Sequence, residues 1–275
     1  MKLSISNIAW EKQDDEKVYA NMQKLGFSGL EIAPTRLFDQ PAYSKLNEAT
    51  EFAKNLKSKY GLSISSMQSI WYGVAEQLFG TQEERQYLYD YTKEAINFAN
   101  ALSCPNIVFG CPKNRSKPEN STAEPSHTLE PIHTFFSELG DYATKHGTTI
   151  ALEPNPPIYG TNFINTTQEA LDMVKTINNK GFRINLDIGT ILHNEEDTNM
   201  LNNNWHLINH VHISEPNLKL IKENSIHKDI INSATTNNYQ GYFSIEMAKQ
   251  PIEDVISTMK YTSTIYMPLW FSGKY

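Results

Sequence analysis

Short runs of alternating apolar and polar positions recur along the whole chain, and stretches with three- and four-residue apolar spacing separate most of them. The short runs read as eight strands: LSISNIAW (3–10), GLEIAPT (29–35), SISSMQSIW (63–71), NIVFGCP (106–112), TIALEPN (149–155), FRINLDIGT (182–190), HVHISEP (210–216) and YFSIEM (242–247). Between them, residues 84–102 set Leu88, Tyr91, Ala95, Ile96, Ala99 and Leu102 on one face of a helix. Residues 166–177 open with Thr166 and carry Glu169 three positions on, a capping box ahead of Ala170, Val174 and Ile177. Gly26, Gly61, Gly147, Gly181 and Gly241 each precede a strand, where a helix end calls for a left-handed residue.

Strands alternating with helices imply a parallel sheet, and eight such units are the number that closes a (β/α)8 TIM barrel, here as one domain over residues 1–275. A doubly wound open sheet is the alternative, but NIAWEKQDD after the first strand lacks the glycine-rich phosphate loop such a sheet normally carries. Two stretches break the rhythm: PKNRSKPENSTAEPS (112–126) after the fourth strand and NEEDTNMLNNNWH (194–206) after the sixth. In a barrel both are expected on the face that carries the active site, either as lids or as plain surface loops.

Composition narrows the class of protein. No apolar run approaches the ~18 residues of a membrane span, and MKLSISNIAW lacks the apolar segment of a secretory signal, so a cytoplasmic protein with no membrane partner is expected. Cys104 and Cys111 are too few for a disulfide framework and lack the C-x-x-C spacing of structural zinc; packing roles are expected. A formal net charge of −7 is the wrong sign for neutralising phosphates, which argues against a nucleic-acid partner.

The last four strands share an anomaly. Each carries an ionisable residue near its C-terminal end inside an apolar run: Glu153, Asp187, His212 and Glu246. Taken singly, each reads as a solvated strand end or a hydrogen-bonded core residue. In a barrel, equivalent positions on strands five to eight converge at one mouth. Three carboxylates so close would repel without a cation between them, so the set predicts a divalent metal, Mn²⁺ or Mg²⁺ by donor type, with Co²⁺ or Zn²⁺ as alternatives. His212 is then a neutral imidazole ligand and His210, one step deeper, a structural residue.

The segments EPNP, LDIGT, HVHISE and SIEM resemble the xylose-isomerase-like barrel superfamily, and within it the sugar (phosphate) isomerase/epimerase members, which include ketose 3-epimerases and inosose-processing enzymes. The resemblance implies that Glu153, Asp187, His212 and Glu246 hold one metal and that Glu153 and Glu246 double as the acid/base pair. It implies proton transfer at a carbon beside a metal-polarised carbonyl of a sugar or polyol. Ketose 3-epimerases carry a histidine three residues past the strand-six aspartate and an arginine just past the strand-seven histidine. Here Thr190 and Glu215 stand in those neighbourhoods, with His193 further on, so the motifs do not select that activity.

Trp10, Glu31, Gln68, Asn155 and Glu215 are expected at the same mouth as substrate contacts, and His227 is a weaker candidate. Lys113, Arg115, Lys117 and Lys249 are the cations available if the substrate is phosphorylated. Three other readings stay open: an inosose-type dehydratase on the same site, an abasic-site endonuclease, and a non-catalytic sugar-binding barrel. The endonucleases use extra histidines on strands three and four, where this chain has Gln68, Gly110 and Cys111. A homo-oligomer is in keeping with the resemblance.

Overall fold

Eight parallel strands pair in chain order and close with the last on the first: β1 (Lys2–Ser6), β2 (Gly29–Ile32), β3 (Ser63–Met67), β4 (Ile107–Phe109), β5 (Ile150–Leu152), β6 (Phe182–Asp187), β7 (Ile208–Ile213) and β8 (Tyr242–Ile245). These elements come from a computed structural model that describes residues 1–118 and 125–266. The intervening helices are α1 (Asp15–Lys24), α2 (Pro34–Leu37), α3 (Leu46–Tyr60), α4 (Gln82–Ala101), α5 (Pro125–Lys145), α6 (Thr167–Ile177), α7 (Ile188–Asn194), α8 (Ser225–Thr236) and α9 (Ile252–Tyr266). This is the expected (β/α)8 barrel. Among the described residues no helix is long and apolar enough to cross a membrane.

Two-residue alternation sorts the strands into an apolar outer face and a polar inner one. On β6, Phe182 stacks on Phe136 of α5 with ring centroids 4.7 Å apart, so the alternate residues Asn185 and Asp187 face inward. The interior is crossed by hydrogen bonds between strands that are not neighbours in the sheet. Ser4 pairs with Ser65 at 2.5 Å, Gln68 donates to Ser6 at 2.6 Å, and Asn209 donates to Asn106 at 2.6 Å. Buried polar groups that satisfy one another in this way fix the interior as a unit.

Each strand starts within two residues of its predicted start but stops two to four residues sooner than its apolar run. The ladder ends where the chain turns out into the loops, while the sequence stays apolar because those turns are still buried. The capping box at Thr166 forms as expected, Glu169 N–H donating to Thr166 Oγ1 at 3.2 Å and Thr166 N–H to Glu169 Oε2 at 3.0 Å. A second box, Thr81 with Glu84, starts α4 at Gln82, two residues ahead of the predicted helix.

The glycine expectation holds at Gly26, Gly61 and Gly147, which have positive φ, and fails at Gly181 and Gly241. There Asn178 (φ 47°) and Asn238 (φ 56°) take the left-handed turns. The two glycines serve close approach instead: a Cβ on Gly181 would lie 1.9 Å from the Gly140 carbonyl oxygen.

Of the two irregular stretches, 194–206 starts beside α6, where Glu196 accepts from Thr167 N–H, and ends against the starts of β7 and β8. No residue of it lines the cavity described below, which corrects its expected place on the active-site face. The loop after β4 does reach that face through Pro112, Lys113 and Asn114; its residues 119–124 lie outside the described residues.

Candidate metal centre

The four strand-end residues meet. Glu153 is the residue after β5, Asp187 ends β6, His212 lies in β7 opposite Asp187 in register, and Glu246 follows β8. One ligand atom from each falls within 4.8 Å of the others. A register shift between Ile184 and Asn185 re-aims the end of β6, and another between Leu30 and Glu31 does the same for β2.

His212 Nδ1 lies 2.7 Å from Glu153 Oε1 and 3.1 Å from Glu246 Oε2, yet its alignment makes no hydrogen bond with either. Its other nitrogen, Nε2, is 3.0 Å from Glu31 Oε2. Glu153 is held at both oxygens, accepting from Asn185 Nδ2 at 2.7 Å and from Asn155 Nδ2 at 3.0 Å. Asp187 caps α7 by accepting the Thr190 N–H, and its other oxygen accepts the Ser214 hydroxyl. Among the described residues Glu246 accepts no side-chain hydrogen bond, so it is the least restrained of the four.

The charges do not balance within the protein. Burial, then repulsion from Glu153, pushes the Asp187 carboxyl up to about 6; burial and the same neighbour push Glu246 up to about 7, against the attraction of His212. Burial disfavours charge on His212, but Glu246, Glu31 and Glu153 outweigh it and hold its pKa well above the ordinary value. Burial also opposes ionisation of Glu153 and Glu31, and in both cases histidine outweighs it, keeping them below the usual carboxylate range. Two like charges 4 Å apart repel by about 4 kcal/mol at an effective dielectric of 20.

These residues fit a divalent cation. The unpaired buried Nδ1 of His212 supplies a nitrogen donor, and three carboxylates in one small volume supply hard oxygen donors together with the negative charge. Imidazole as the single nitrogen among oxygens suits Mn²⁺ or Mg²⁺ and admits Co²⁺ or Zn²⁺.

Glu153, Asp187 and Glu246 form the floor of a cavity of about 350 Å³. Of the expected substrate contacts, Gln68 and Asn155 line it. Trp10, Glu31 and Glu215 are not among its lining residues. Trp10 is buried, donating to Asp15 Oδ1 at 2.7 Å with the Arg36 guanidinium over its ring. Glu215 accepts from Lys222 N–H in the loop past β7. Glu31 is fully buried behind His212. Arg115 is also fully buried, holding the Asn155 side-chain oxygen and the Glu153 carbonyl, while Lys249 pairs with Glu11 and His227 packs in the core on α8. Lys113 is the cation on the cavity wall.

The structure adds wall residues that the strand pattern did not reveal. Trp71 and Tyr72 come from the loop after β3, Tyr159 from the loop after β5 and Leu218 from the loop after β7. Tyr159 Oη accepts the Asn217 N–H at 2.9 Å, and burial pushes its pKa up to about 12, so it is a neutral hydroxyl. Cys111, also on the wall, is pushed up to about 12 by burial and is an inert thiol.

The family described as the xylose isomerase-like TIM barrel matches residues 19–263. A similar solved structure is the apo form of 3-keto-D-glucoside 4-epimerase, YcjR, from E. coli, at 19% identity and TM-score 0.75, with 97% of this chain and 99% of that one covered. Another is D-psicose 3-epimerase with D-tagatose from Clostridium cellulolyticum H10, at 20% identity and TM-score 0.73, covering 94% and 89%. A third is an AP endonuclease, family 2, from Brucella melitensis, at 17% identity and TM-score 0.72, covering 96% and 98%. At these identities the likeness is one of fold. No curated protein matches the chain by sequence.

Proposed function

The chain belongs to the xylose isomerase-like TIM barrel family, and from that premise we propose that it is a divalent-metal-dependent isomerase or epimerase of a sugar or polyol. The observation that carries this reading is the meeting of Glu153, Asp187, His212 and Glu246 beneath a sugar-sized cavity floored by the three carboxylates, with one buried ring nitrogen left unpaired among them. That two of the similar structures are sugar epimerases supports it.

A divalent cation held by these four residues would supply Lewis-acid stabilisation of the negative charge that develops on a substrate carbonyl oxygen. Glu153 and Glu246 approach the centre from different strands, so one can take a proton from the carbon beside that carbonyl and the other return it. The hydrogen bonds from Asn155 and Asn185 hold Glu153 in one orientation, as an acceptor of that proton requires. Glu246, which no side chain holds by a hydrogen bond among the described residues, is the carboxylate left to return the proton. Gln68, Asn155 and Tyr159 line the cavity with hydrogen-bonding groups for substrate hydroxyls. The buried walls around Trp71 and Val108 exclude water from the floor.

Incubation of the Mn²⁺-loaded protein with ketoses and aldoses in D₂O tests the reading. Deuterium should enter a carbon-bound position of the substrate, and Glu153→Gln should abolish it. Loss of water from the substrate would point to a dehydratase on the same site. Binding of a sugar without any exchange would contradict catalysis and favour a binding barrel.

A further inference from the structure

Glu31 is a fully buried carboxylate that the proposed proton transfer does not use, and it lies on β2, away from the strands that carry the four proposed metal ligands. The geometry points to Glu31 as the positioning residue of the metal centre: it fixes the tautomer and ring orientation of His212, and so sets metal affinity without touching metal or substrate. This inference rests on the metal reading above.

The argument starts from one imidazole with two nitrogens. A ring that gives a lone pair to a cation is neutral and carries one N–H, and a carboxylate can only accept. Glu31 Oε2 lies 3.0 Å from His212 Nε2, so the proton sits on Nε2 and the lone pair on Nδ1. Nδ1 is the nitrogen that faces Glu153 and Glu246 and has no hydrogen bond. Without Glu31 no acceptor holds the proton on Nε2, and a ring protonated at Nδ1 would present the wrong nitrogen to the cation.

Glu31 is itself held still. Its Oε1 accepts from Gln68 Nε2 at 3.0 Å, and the same amide group donates to Ser6 Oγ at 2.6 Å. His210 Nε2 stands 2.9 Å from Oε2 on the other side, although off line for a hydrogen bond. The irregularity in pairing between Leu30 and Glu31 places this side chain inside the barrel. A carboxylate behind a ligating histidine both orients the ring and raises its basicity, and removing such a partner typically costs 10–100-fold in metal affinity.

Glu31, His210 and His212 also have the mutual spacing of a metal site in their own right. Against that use, Glu31 Oε1 is already taken by Gln68. Counting ions separates the two roles.

The test is calorimetric titration of the metal-stripped full chain with MnCl₂, for the wild type and for Glu31→Gln. The expected result is one ion per chain in both, with 10–100-fold weaker binding in the variant and an unchanged far-UV circular dichroism spectrum. Affinity within twofold of wild type overturns the positioning role. Two ions in the wild type with one lost in Glu31→Gln also overturns it, because the trio is then a metal site itself. No ion in the wild type overturns the metal reading, and this inference with it. A second measurement needs no variant: long-range ¹H–¹⁵N spectra of the Mg²⁺-saturated wild type should show His212 protonated at Nε2, and protonation at Nδ1 contradicts the assignment.

Discussion

Gly110 has no side chain where Glu153 needs room. A Cβ there would lie 2.7 Å from Glu153 Oε2 and 3.3 Å from Asn155 Oδ1. Gly110→Ala is therefore expected to displace the carboxylate while leaving the barrel folded. Titration with MnCl₂ should show affinity lower by tenfold or more at unchanged far-UV circular dichroism. The four strand-end residues are legible in the sequence because an ionisable group interrupts an apolar run at the same point of four consecutive strands, and a parallel barrel brings such ends together. Trp10, Glu31 and Glu215 lie off the cavity wall because strand alternation does not extend past a strand's end and carries no depth. β1 stops at Ser6, so the period of two says nothing about Trp10; Glu215 lies beyond the end of β7. Glu31 faces inward as the pattern suggests, but alternation gives a side and no distance along the barrel axis. Tyr159 and Tyr72 reach the cavity from irregular loops, which have no period to read, and Trp71 does so past the point where β3 stops.

The elements that carry the site are held by features of two kinds, caps and close approaches. Loss of the Thr166 cap in Thr166→Ala should cost about 1 kcal/mol, read from urea denaturation, with little effect on the site because the box lies on the outer layer. Gly181→Ala should be far more damaging. Its Cβ would meet the Gly140 backbone at 1.9 Å and Thr144 Oγ1 at 2.4 Å, so α5 and the start of β6 must part. A large drop in melting temperature or loss of soluble protein is expected, and a variant that melts like wild type would contradict the packing described. Strand order and helix periods are readable because burial imposes them along whole segments. Strand ends, the left-handed turns at Asn178 and Asn238, and the course of 194–206 are not, because they depend on contacts with distant parts of the chain.

Across the whole molecule, the polar barrel interior and the metal centre form one charged system, which makes metal binding depend on pH. The protons on Glu246 (about 7) and Asp187 (about 6), and on His212, whose pKa is raised, compete with the cation for the same atoms. Raised pKa values mean that these groups hold protons to higher pH in the metal-free protein, so Mn²⁺ affinity should rise from pH 6 to pH 8 with release of protons on binding. Calorimetry in buffers of different ionisation enthalpy measures that release. A flat profile would mean that the cluster is already deprotonated without metal. The most direct test of the central claim is metal content: the wild-type chain, saturated with Mn²⁺ and freed of excess, should retain one ion per chain by elemental analysis, and Glu246→Gln should lose it. A wild type without metal, or a variant that holds metal as tightly, would mean that these four residues form no metal centre.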